Sequence, residues 1–181
     1  MKRVMVIGAP GSGKSTLARK LGAVTGLPVI HIDHIHWMSG WKERPLPEKI
    51  AMIRPIEEGQ EWIIEGGLSA TFPTRLERAD TLIWLDVPIG LRFWRVVKRT
   101  VVGYGRNRPD LPDGCPEIIG WHTWEFWLYI WRTRRRNRAR MQAHFATARA
   151  EGKTAIRLTS RRATDAYVRG LCLEHQSNSE A

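Results

Sequence analysis

Cysteine, acidic side chains and long apolar runs are all scarce in this sequence. Its 181 residues hold two cysteines, Cys115 and Cys172, at no metal-binding or redox spacing. That excludes a disulfide-stapled scaffold and a thiolate metal knuckle, and both residues read as ordinary thiols of a reducing compartment. No apolar run reaches the roughly 20 residues that a bilayer span requires. The longest mostly apolar stretch, Ile118 to Trp131, is interrupted by His122, Thr123 and Glu125. Met1-Lys2-Arg3 leads straight into an apolar segment, with no signal-peptide pattern, so a cytoplasmic location is expected. Acidic residues number 18 against 29 Lys and Arg, a net charge of +11. The imbalance is local: residues 92–149 hold 13 Lys and Arg against 4 Asp and Glu. Such a patch implies phosphorylated ligands, nucleic acid or an anionic surface.

What the chain does contain is a phosphate-binding loop. Gly8-Ala9-Pro10-Gly11-Ser12-Gly13-Lys14-Ser15-Thr16 fits the pattern G-x-x-x-x-G-K-[ST]. An apolar run, Val4 to Ile7, precedes it as a buried strand, and Leu17 to Leu21 follows as a helix start. Its glycines allow a tight wrap that points backbone N–H groups inward, at the positive end of a helix. Lys14 adds a charge for the β- and γ-phosphates, and the Ser15 hydroxyl is a Mg²⁺ ligand candidate. A nucleoside triphosphate, with ATP and Mg²⁺ as the expected pair, is the ligand this loop implies.

Strand and helix signals alternate along the rest of the chain, which implies an α/β fold with a parallel sheet. Strands are expected at Val4–Ile7, Pro28–Ile32, Trp62–Ile64, Thr81–Leu85 and Thr154–Leu158. Helices are expected from Lys14 to about Val24, Pro47 to Glu57, Phe72 to Glu77, Pro88 to Val101, Glu117 to Ala150 with an internal break, and Ala163 to His175. Residues 1–175 read as one domain and 176–181 as a polar, frayed tail. Gly103 to Pro116 is rich in Gly and Pro and reads as a loop between two basic helices. Trp121, Trp124, Trp127 or Leu128, and Trp131 recur near helical spacing, the usual mark of a core-facing stripe.

These motifs together resemble the adenylate kinase-like branch of the P-loop kinases. They are most similar to the bacterial FlaR-related "DNA topology modulation" proteins. The resemblance is carried by Gly8 to Thr16, His31 to Trp37 with Gly40-Trp41, Trp62 to Gly67, Arg75 to Asp80, Trp84 to Pro88, Arg95, Arg99, Arg108 to Asp110 and Gly114 to Glu117. It implies a P-loop three-layer sandwich whose five parallel strands stand in the order 2-3-1-4-5, with a small lid at about 103–116 and the basic helix 117–150 behind it. Glu65 then lies near Ser15, where such kinases usually carry an Asp behind Mg²⁺. Arg95 and Arg99, four residues apart on one helix face, match arginines that face the nucleotide. Arg161 follows the last strand in the loop that lines the base.

The acceptor half is less determined. Asp33, at the end of the second strand, suits a base or orienting group for a hydroxyl. Arg44, Arg54 and Arg75 suit a phosphorylated acceptor instead, so the two alternatives stay open. Trp37 is expected to wall the acceptor pocket with Trp41, and Gly66 and Gly67 to let the acceptor approach the backbone. His31, His34 and His36 flank Asp33 without a fourth ligand at zinc spacing. Arg106 and Arg108 are the lid arginines. Arg132, Arg135 and Arg136, from the run 132–140, are candidates to reach the phosphates from behind the lid. The reading is a Mg²⁺-dependent ATP phosphotransferase, with Lys14, Arg95, Arg99 and Asp33 as its catalytic group. The alternative is an ATP-binding protein held on DNA by the basic helix. The acceptor and the oligomeric state are not readable from the sequence.

Overall fold

The structure, a computed structural model, describes residues 1–179, the side chains of 177–179 excepted. Five parallel strands form the central sheet: β1 (Arg3–Gly8), β2 (Val29–His31), β5 (Trp62–Glu65), β6 (Thr81–Leu85) and β7 (Thr154–Leu158). Their order across the sheet is β2-β5-β1-β6-β7, the order expected. Val4, Met5, Val6 and Ile7 are buried because β1 is covered on both faces, as parallel strands flanked by helices are. One face packs Met5, Ile7, Trp62, Ile64 and Trp84 against α3 (Leu46–Glu58), α4 (Phe72–Arg78) and α6 (Trp121–Ala150). The other packs Val4, Val6, Ile63 and Ile83 against α1 (Lys14–Thr25) and α7 (Arg161–Ser179). Each fully buried aliphatic side chain here contributes about 1.5–3 kcal/mol.

Three departures from the sequence expectation matter for the site. First, β2 stops at His31, and Asp33 lies in a short helix, α2 (Ile32–His36). Ile32 and Ile35, three positions apart, both sink into the core, and that period is helical. Beyond α2, β3 (Trp37–Met38) and β4 (Lys42–Glu43) form an antiparallel hairpin. Its tip holds Trp41 with a left-handed φ of 59°.

Second, α6 has no break. It runs 30 residues from Trp121, and no Gly or Pro falls inside it. Only its second half lies on the sheet, through Met141, Phe145 and Ala148. The expected core stripe is therefore wrong in its first half: Trp121, Trp124 and Trp131 are exposed, with Ile130 buried and Trp127 half-buried. Third, α7 continues to Ser179, past the expected end at His175, so 176–179 are helical. Glu180 and Ala181, the rest of the expected tail, lie outside the described residues.

The segment between α5 (Ile89–Val102) and α6 is pinned at its base by a bridge between Tyr104 and Glu117. Its crown folds onto the β3–β4 hairpin. Gly40 donates its N–H to the Gly114 carbonyl (2.8 Å), and the Trp41 indole donates to the Pro116 carbonyl (2.8 Å). The Cys115 thiol meets the Met38 carbonyl at 3.3 Å. The segment 103–116, expected as a lid, is thus folded against the hairpin.

Candidate functional site

The P-loop is shaped by close packing rather than by flexibility. Gly11 has φ +77°, and a Cβ there would stand 2.3 Å from the Arg92 carbonyl oxygen. Arg92 is buried and spans the loop's outer side, donating to the carbonyls of Val87 (2.9 Å) and Pro10 (3.3 Å). Gly13 caps α1 in the left-handed region with no side-chain cap, so the first-turn N–H groups of the helix that begins at Lys14 have no intrahelical partner. The Ser12 hydroxyl is buried with no partner among the described residues. Lys14 makes no ion pair among the described residues, although Asp33 and Glu65 feel its charge. A loop with a free lysine, free amides and an orphan hydroxyl fits an anionic phosphate chain.

Three carboxylates converge on this loop from different elements. Glu65 ends β5, is buried, and takes a hydrogen bond from His31 Nδ1 at 2.6 Å. Burial alone would raise its carboxyl. The His31 bond, the charges of Lys14 and His31 and a Ser15 hydroxyl bond outweigh burial and hold it below its ordinary value. Asp110 comes from the lid, and the Ser15 hydroxyl donates to it across 3.3 Å. Asp33 behaves oppositely to Glu65. Burial of its carboxyl, helped by the charges of Glu65 and Asp110, pushes it above the ordinary carboxylate range despite Lys14 and Arg108. Two carboxyls near one lysine are thus pushed apart in proton affinity, a pattern of functional sites. Among the described residues no set of His, Cys, Asp and Glu forms a metal cage of protein ligands alone. Ser15 flanked by Glu65 and Asp110 does fit a cation shared with phosphate oxygens.

Cations close the site from above. Arg95 reaches the Ser12 carbonyl at 3.3 Å from α5. Arg99, one turn on, pairs with Glu117 at 3.2 Å, and Arg108 of the lid pairs with the same carboxylate at 2.9 Å. Arg108 also bonds Asp110 at 2.9 Å. The segment 103–116 and α5 are therefore joined through one glutamate, and Asp33 lies within electrostatic reach of Lys14, Glu65, Arg99, Arg108 and Asp110.

Several expected site residues are elsewhere. Arg75 has no exposed surface; it stacks on Phe72 (4.7 Å), pairs with Glu57 (3.5 Å) and donates to the Leu68 carbonyl (2.8 Å). It buttresses the turn after β5 instead of facing an acceptor. Arg44 is tied to the Ile35 carbonyl (2.9 Å) and to Glu48, closing the hairpin. Gly66 is required by packing, because at φ +117° a Cβ would stand 2.8 Å from the Ile32 side chain. Gly67 is exposed and approaches nothing closely. Trp37 meets Trp41 edge-on at 5.4 Å, and Trp41 is a lid contact rather than a free pocket wall.

Arg106 faces solvent, because its backbone is spent on the lid base. Arg132 and Arg136 are exposed on α6 and do not reach the loop; a 100° helical step cannot aim the whole run inward. Arg135 lines, with Arg92, Arg134 and Arg138, a groove of about 380 Å³ beside Ala9 and Asp86. Arg161 is 84% exposed and pairs with Asp165 one turn along α7, so its side chain lines no base site.

The sequence reading missed four contributors. Asp110, Glu117 and His31 each act through a partner distant in sequence. Arg138 grips Asp86 with Nε and Nη2, both at 2.9 Å, with Arg157 on the other side. These bonds hold the Asp86 carboxyl below its ordinary value against the opposing effect of burial. His31, Asp110 and Glu117 stand in the motifs that carry the resemblance and Arg138 in the run 132–140, but none was given a role.

Neither a protein-family profile nor any curated protein matches the sequence. Solved structures do match. A shikimate kinase from Bacteroides thetaiotaomicron has a TM-score of 0.58 at 16% identity, with 99% of each chain covered. One from Acinetobacter baumannii, in complex with shikimate, has a TM-score of 0.54 at 18% identity, covering 98% of this chain and 94% of that one. One from Aquifex aeolicus has a TM-score of 0.51 at 15% identity, with 99% of each chain covered. At such identities the likeness shows the fold, that of P-loop kinases. The narrower resemblance to the FlaR-related group is carried by the sequence motifs alone.

Proposed function

We propose that this chain is a Mg²⁺-dependent ATP phosphotransferase whose acceptor is a hydroxyl group on a small molecule. The observation that carries the reading is the unpaired Lys14 beside a half-buried Asp33 whose proton affinity is raised. The P-loop amides and Lys14 hold the donor's phosphates. Ser15, with Glu65 and Asp110 behind it, would hold Mg²⁺, which when bound neutralises phosphate charge. Arg95, Arg99 and Arg108 meet the charge spread over the transferred group. The acceptor's O–H donates to Asp33, and its oxygen bonds to the γ-phosphorus as the bridging bond to ADP breaks. The hydroxyl proton passes to the Asp33 carboxylate, and the lid keeps water out.

The positions of the arginines support the hydroxyl alternative. A phosphorylated acceptor needs cations on its own side; Arg75 and Arg44 are committed to structure, Arg54 is exposed on α3, and Arg99 and Arg108 are paired with Glu117. Asp33 supplies a carboxylate there, which repels an anion and suits a hydroxyl. The test is an ATP-consumption screen over sugars, polyols, nucleosides, hydroxy acids and nucleoside monophosphates. Turnover is expected with a hydroxyl acceptor and is lost in Lys14→Ala. Turnover only with monophosphates overturns the acceptor class, and full turnover by Lys14→Ala overturns the mechanism.

A further inference from the structure

We propose that the projecting start of α6, with the α5–lid hinge beside it, is a docking face for an anionic phospholipid surface. Exposed large apolar side chains cluster on this part of the molecule. They include Trp121 (75%), Trp124 (60%) and Trp131 (51%) on α6, and Val102 and Tyr104 at the hinge. Contiguous exposure of this kind marks an interaction surface. Immediately along α6 come the outward Arg132, Arg136 and Arg140. At 1.5 Å per residue, aromatic and cationic zones each occupy roughly 15 Å of the same helix.

The charge selects the occupant. A second copy would bring one arginine run against another, in a region with 13 Lys and Arg against 4 Asp and Glu. Nucleic acid would reward the arginines and the stacked rings but gains nothing from exposed Val101, Val102, Ile118 and Ile119. A lipid headgroup layer rewards all three: aliphatics and indoles at the acyl boundary, and arginines at the phosphates. No helix among the described residues is long and apolar enough to cross a membrane, so the contact is peripheral.

The test is co-sedimentation of the full chain with phosphatidylcholine vesicles, with and without phosphatidylglycerol, followed also by tryptophan emission. Binding to the anionic vesicles with a blue-shifted emission is expected. Trp121→Ser with Trp124→Ser, and separately Arg132→Gln with Arg136→Gln, should each weaken binding about tenfold or more. Circular dichroism checks that both variants are folded. No binding, or equal binding to neutral vesicles, overturns the proposal. So does displacement from vesicles by duplex DNA at equal phosphate, or a dimer that the tryptophan substitutions dissolve. The tryptophan variant should keep its ATP turnover in free solution, so failure here leaves the phosphotransferase reading standing.

Discussion

Ser15 of the P-loop donates its hydroxyl hydrogen bond to Asp110 of the lid across 3.3 Å. The bond joins the residue expected to bind the cation to a loop 95 positions away in sequence. A movement of the proposed lid would therefore change the charge beside Ser15. Asp110→Ala should leave ATP binding largely intact and lower kcat by at least about tenfold, as loss of a positioned charge does. It should also raise the Mg²⁺ concentration needed for half-maximal rate. A titration of rate against Mg²⁺ checks both.

Asp33→Asn should separate activity from stability. The folded carboxyl holds its proton more tightly than the unfolded one. Folding therefore takes up a proton, and stability falls as pH rises from the unfolded value through the folded one. At neutral pH the amide variant should melt higher than the parent, with the gap closing in acid. Its turnover should fall about 10²-fold or more. The parent's rate should lose activity on the acid side as Asp33 protonates.

Glu65 has the opposite sign. Its folded value lies below its unfolded one, so its stabilising contribution is full above the unfolded value and is lost as pH falls through the folded value. His31→Ala removes its nearest bond and should cost about 1–3 kcal/mol at neutral pH. Melting curves against pH should show parent and variant converging in acid.

Arg75 should prove structural. Arg75→Ala leaves Glu57 buried without its cation, at a cost of about 3–5 kcal/mol. For a chain of this size that is a fall in Tm on the order of 10 °C. Any folded fraction should keep the parent's acceptor KM. A KM raised tenfold with Tm unchanged would return Arg75 to the substrate.

Arg106 and Arg108 sit two residues apart and should differ sharply. Arg108→Ala removes the partner of both Glu117 and Asp110 and should lower kcat at least about tenfold. Arg106→Ala should stay within about twofold. Steady-state kinetics of the pair decides it.

The donor half of the site was legible because it is local. The P-loop, its strand and its helix are contiguous, and the resemblance to P-loop kinases supplied the places of Glu65, Arg95 and Arg99. Asp33 was put on the wrong element, since Ile32 and Ile35 turn the chain helical one residue after β2. The acceptor half was obscured because an arginine's partner is a tertiary fact. Nothing near Arg75 in sequence announces Glu57 or the carbonyl of Leu68. The tryptophans of α6 misled for a related reason: helical spacing shows that a face exists, not that anything covers it.

Trp41 carries the last consequence. A bulky residue held at φ 59° stores about 1–2 kcal/mol of backbone strain. Its indole is what holds the Pro116 carbonyl. The contact between the hairpin and the segment 103–116 therefore rests on a strained turn, and part of what the bond contributes is offset by that strain.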